Sequence, residues 1–140
     1  MAMAREIPEE SFQWRCTETA PSLAELTSRL AATSYRTLHS LKRERAIRPD
    51  ELAKITDKEG LLEILGQSVA AVRLAVLETA DEDLDLPIDH LGRRWSVRSL
   101  FLLLYAQLQE GLGQLAATAT CAGIDPPWVK QRRAEQATED

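Results

Sequence analysis

Residues 95–123, WSVRSLFLLLYAQLQEGLGQLAATATCAG, beginning at Trp95 and ending at Gly123, read as one long helix that carries most of the apolar mass in the chain. Ser96 can accept a hydrogen bond from the exposed amides at the start, and Gly123 followed by Asp125-Pro126-Pro127 is a glycine-then-proline stop. Val97, Leu100, Phe101, Leu104, Leu108, Leu112, Leu115 and Ala119 recur at helical spacing on one face. Leu102, Leu103 and Tyr105 make the first half apolar nearly all round, which is more than two helical neighbours cover. The rest of the chain is expected to pack on this helix, and a further partner for it is implied. Gly111 and Gly113 sit in its interior, each costing about 1 kcal/mol relative to alanine, so a close approach to that backbone is expected at both.

Two more helices precede it. Pro21-Ser22-Leu23-Ala24-Glu25 is a capping box, in which Ser22 accepts from the first-turn amides while Glu25 reaches back to the cap. Leu23, Leu26, Leu30, Ser34, Thr37 and Leu41 then step by three and four, a stripe that weakens toward its C-terminal half, and the helix is expected over about 22–42. Thr56-Asp57-Lys58-Glu59 reads as a second capping box opening a helix over about 57–79, with Leu62, Leu65, Val69, Val72 and Val76 as its stripe, widened by Leu61, Ala71 and Ala75. The connection 43–57 is charged and broken by Pro49, with a short helical turn expected near Asp50; its basic start reads as a solvated loop rather than a phosphate site. Asp81-Glu82-Asp83, Asp85 and Pro87 end the second helix and begin a loop through Gly92, which lacks the glycine and terminal glutamate of a calcium loop. Residues 1–20 read as an arm whose Phe12 and Trp14 cover one end of the bundle, and 129–140 as a flexible tail. The fold class is therefore all-α, a single domain over 1–140.

A net charge of −5 argues against a generic nucleic-acid or anionic-membrane binder, because either needs a basic stripe to meet phosphates. MAMAREIPEE has no apolar core of the signal-peptide kind, and the strongly apolar run 100–104 is too short to cross a bilayer, so a cytoplasmic protein is expected. Cys16 and Cys121 follow no metal spacing and read as reduced, structural or incidental thiols. His39 and His90 read as single surface histidines. There is no GxSxG elbow, no cysteine with a plausible histidine, no glycine-rich phosphate loop and no HExxH.

The run IPEESFQWR at 7–15, then SLAELTSRL at 22–30, resembles the end of the first connection and the second helix of the DinB-like superfamily. Gly113-Gln114-Leu115, followed by Cys121-Ala122-Gly123-Ile124-Asp125-Pro126-Pro127, is similar to that family's fourth helix and its exit, and the resemblance spans about 7–128. It implies a four-helix bundle, often dimeric, with a divalent metal held by three histidines that activates a low-molecular-weight thiol for transfer. One ligand comes from the second helix and two, four residues apart, from the fourth; on this chain those positions fall at Arg29, Gln107 and Gly111. A guanidinium repels a cation, an amide oxygen is a poor ligand for zinc or nickel, and glycine offers no ligand atom, so no metal cofactor is expected. The family's first helix precedes Ile7, where six residues stand here; either the start is internal to a longer product, or three helices fold and association fills the gap. A homodimer through the 95–123 region is expected.

Arg29 and Gln107 both lie at the edge of an apolar stripe, so they can face one inter-helix crevice in which Gly111 leaves room. Arg29 there can receive a small anionic ligand, or instead reach an internal acid such as Glu110 or simply lie outward. Two functions follow: a non-catalytic, oligomeric DinB-like module, binding a small molecule or serving as an accessory protein, or a divergent thiol-dependent transferase acting on a small anionic substrate. The candidate ligand-binding residues are Arg29, Gln107, Glu110 and Gly111, with no catalytic residue assigned.

Overall fold

The computed structural model describes residues 2–42, 47 and 49–137. In chain order these form α1 (Ala2–Glu6), α2 (Leu23–Ser40), α3 (Pro49–Leu52), α4 (Lys58–Leu77), the strands β1 (Pro87–His90) and β2 (Arg93–Ser96), α5 (Val97–Cys121) and α6 (Pro127–Ala137). Single 3-10 turns stand at Glu9–Ser11 and Asp81–Asp83. The three long helices fall within about two residues of their expected bounds, and α3 is the short turn expected beside Pro49.

The helix starts follow from side-chain chemistry. Ser22 Oγ accepts from the Glu25 amide at 3.2 Å while Glu25 Oε2 accepts from the Ser22 amide at 2.7 Å, so the capping box is closed both ways. Ser96 Oγ accepts from the Ser99 amide at 3.2 Å. At α4 the cap is Asp57 rather than the expected Thr56: its carboxylate accepts from Gly60 N at 2.8 Å. Gly123, at φ +79°, ends α5 in the left-handed region that costs glycine nothing.

The packing corrects the expectation that everything rests on α5. The central helix is α2, which packs on α4 along one side and on α5 along the other, while α4 and α5 barely meet. Its expected stripe is buried from Leu23 to Thr37, with Leu41 only half-buried at the cap, and Ala24, Thr27, Ala31, Tyr35 and Leu38 are buried as a second face. Thr27 and Ser34 donate to the carbonyls of Leu23 and Leu30, at 2.8 and 3.2 Å, so their hydroxyls are satisfied within the helix and the burial costs little. In α5, by contrast, only Val97, Leu100, Leu104, Leu115 and Ala119 are buried, and Leu102 and Tyr105 are each 64% exposed. The excess of apolar surface read from the sequence is present and stands uncovered.

The arm expected at the N-terminus contributes to the core. Met3, Ala4 and Ile7 are buried, α1 packs on α5 and α6, and Phe12 is 2% exposed with Trp14 half-buried beside the core. Of the flexible tail expected over 129–140, the described residues 129–137 are helical, in α6, with its polar residues exposed from Lys130 onward. The loop expected before α5 holds an antiparallel hairpin in which Ile88 faces Trp95 and His90 faces Arg93. Its two-residue turn, Leu91-Gly92, has positive φ at both positions (51° and 73°). His90 is therefore a buried strand residue, 4% exposed, and not a surface histidine; His39 is exposed as expected. The basic start of the 43–57 connection lies outside the described residues. Among the described residues one helix, α4, is long and apolar enough to cross a membrane by length and composition, whereas the sequence reading had weighed only the run 100–104 as a span. α4 docks on α2 through buried Leu61, Ile64, Leu65, Ser68 and Ala75.

Candidate functional site

Between α2 and α5 runs a crevice of about 170 Å³ lined by Leu26, Arg29, Leu30, Thr33, Gln107, Glu110, Gly111 and Gln114. All four candidate residues border it. Arg29 and Thr33 stand one turn apart on α2, and Gln107, Gly111 and Gln114 follow at successive turns of α5, so two helical faces meet edge to edge. Thr33 and Gln114 were not singled out from the sequence, although each stands one turn along from a residue that was.

The floor is apolar and closely fitted. A β-carbon placed on Gly111 would lie 2.6 Å from Leu30 Cδ2, so glycine is what lets α2 and α5 approach here. This corrects one detail: Gly111 leaves no room in the crevice, because Leu30 fills it. Gly113 has nothing within 4 Å of the same point, so the close approach expected there is absent.

The rim is polar. Glu110 does not pair with Arg29; its Oε1 accepts from Gln114 Nε2 at 3.1 Å. Arg29 is exposed and makes no ion pair among the described residues. Its field does reach Glu25, one turn earlier, whose carboxyl is held below its ordinary value of 4.5. The Ser22 backbone amide is the main cause, burial opposes it, and Arg15 at 3.7 Å and then Arg29 add to it.

These residues do not fit the metal that the resemblance implies. Arg29 brings a positive charge, Gln107 an amide, and Gly111 nothing, and a longer side chain at 111 would have to displace Leu30. Among the described residues no three of His, Cys, Asp and Glu converge to hold an ion.

No family model matches the chain, and no curated protein matches it. Solved structures do. A DinB-like protein from Bacillus cereus ATCC 10987 superposes with a TM-score of 0.78 at 17% identity, over 89% of this chain and 84% of that one. A DinB-like protein from Bacillus subtilis superposes with a TM-score of 0.58 at 21% identity, over 81% of this chain and 76% of that one. At such identities the likeness is one of backbone: the chain has the DinB-like helical fold.

Proposed function

We propose that this chain is a non-catalytic DinB-like module that binds a small anionic ligand in the α2–α5 crevice and acts as a cytoplasmic homodimer without bound metal. The observation that carries the reading is Arg29: a guanidinium with no ion-pair partner among the described residues borders a crevice whose other polar groups include two amides, Gln107 and Gln114. Guanidinium and amide N–H groups suit carboxylate or phosphate oxygens. The volume, about 170 Å³, sets the ligand class, since it holds only a handful of heavy atoms or the anionic end of something larger. The carboxylate of Glu110 is engaged by Gln114, which leaves the Arg29 side of the crevice as the anion's place. Nothing bordering the crevice is a nucleophile with a base beside it, which supports the non-catalytic reading.

Support for association comes from the bare face of α5. Leu102 and Tyr105, exposed side by side along the helix, are the kind of apolar surface a second copy covers.

The test is a thermal-shift and calorimetric titration with inorganic phosphate and with small mono- and dicarboxylates. Saturable stabilisation that weakens by about 10–100-fold in Arg29→Ala is expected. Unchanged affinity in that variant would overturn the site. Consumption of a low-molecular-weight thiol by the metal-free wild-type chain, lost in the same variant, would overturn the non-catalytic part and establish the divergent transferase.

A further inference from the structure

Two charges of opposite sign border the α2–α5 crevice from opposite walls, Arg29 on α2 and Glu110 on α5. They do not meet: no ion pair joins them among the described residues. Glu110 is steadied by its own helix, since Oε1 accepts from Gln114 Nε2 at 3.1 Å, while its second oxygen has no partner among the described residues. Glu25, the only acid on α2, does not take up Arg29 either. Its Oε2 accepts from the Ser22 amide at 2.7 Å and faces Arg15 at 3.7 Å. The side chains of Thr33 and Gln107, which flank the crevice from either wall, make no hydrogen bond among the described residues.

An ion with negative charge alone is drawn to Arg29 and repelled by Glu110, and an ion with positive charge alone meets the reverse. A molecule carrying both groups on a short skeleton satisfies both walls at once. Resting on the crevice reading above, we propose that the ligand is a small amino acid, a zwitterion whose carboxylate lies at Arg29 and Gln107 and whose ammonium lies at the free oxygen of Glu110. A guanidinium and an amide N–H donate to carboxylate oxygens, and an ammonium, with three donors and no acceptor, donates to the carboxylate of Glu110.

The size of the crevice sets the skeleton. About 170 Å³ over an apolar floor of Leu26 and Leu30, the latter packed against Gly111, takes an amino acid of five or six heavy atoms and no long side chain, by order of magnitude. Glu110 is then the specificity-determining residue: without it the crevice takes any small anion, and with it the crevice prefers a neutral zwitterion to a plain acid or phosphate.

The experiment titrates the full chain at low ionic strength, by calorimetry and thermal shift, with glycine and β-alanine, with the matching acids acetate and propionate, and with methylamine and ethylamine. The better-fitting amino acid should bind about 3–10-fold tighter than its matching acid, and the amines most weakly. Glu110→Gln should weaken the amino acid by about the same factor while tightening the plain acid, because it removes an attraction for one and a repulsion for the other. Arg29→Ala should weaken both. Amino acids and acids that bind alike to the parent chain, or that move in the same direction in Glu110→Gln, would overturn the zwitterion and leave the anion site standing. Binding of none of the six, or binding indifferent to Arg29→Ala, would overturn both readings. The six titrations of the unsubstituted chain test the preference without any variant.

Discussion

Gly111 and Gly113 stand two residues apart in α5 and answer to different physics. At Gly111 the α2 side chain of Leu30 occupies the place a β-carbon would take, whereas Gly113 is exposed and faces open space. Gly111→Ala should destabilise the protein by about 1–3 kcal/mol through overpacking, and Gly113→Ala should stabilise it by about 1 kcal/mol through helix propensity. Urea unfolding of the two variants beside the parent checks both signs. The sequence showed both glycines to be unusual in a helix but not which one had a neighbour, because that depends on where α2 lies. The caps at Ser22, Ser96 and Gly123 were legible because each is made by residues within a few positions of itself. That Arg29 and Gln107 border one crevice depends on how α2 and α5 cross, and for that the stripe edges gave the signal.

Among the elements, the hairpin before α5 was the one the sequence hid. Leu91-Gly92 is not a common pair for a two-residue turn that needs positive φ twice, and the charged run ahead of it looks like a loop. The hairpin is tied to α2 through His90, whose Nδ1 lies 2.8 Å from Ser40 Oγ. Burial first, and then the positive charge of Arg36, hold His90 below its ordinary value of 6.5. Folded His90 thus stays neutral at pH values where the unfolded chain has already taken up a proton. Its contribution is full above about pH 6.5 and declines as pH falls from there toward the folded value. Denaturant midpoints measured between pH 8 and pH 5 should fall with acidity in the parent and fall less in His90→Gln. Equal slopes in the two would remove His90 from the account. α2 was under-read in a related way: one stripe was legible in the sequence, whereas a second face of Ala24, Thr27, Ala31, Tyr35 and Leu38 is buried too, a face whose small and polar residues do not announce burial.

For the whole molecule, three helices in the order α4, α2, α5 leave α2 covered on two sides and its flanking helices partly bare. The all-round apolar segment of α5 announced this imbalance in the sequence, though which helix would be central did not follow from it. The exposed pair Leu102 and Tyr105 accounts for the proposed dimer. Replacing both with glutamate should halve the mass seen by sedimentation while leaving the helical circular dichroism unchanged. An unchanged mass would place the subunit contact elsewhere.

The central claim concerns the crevice: Arg29, Gln107 and Gly111, with Leu30 packed against the last, hold an anion and no metal. It is tested most directly by elemental analysis of the chelator-stripped chain after incubation with Zn²⁺, Ni²⁺ and Mn²⁺ and removal of unbound ion. The account predicts metal far below one ion per chain for all three, whereas one tightly held ion per chain would contradict it and require ligands drawn from elsewhere in the molecule or from a second copy.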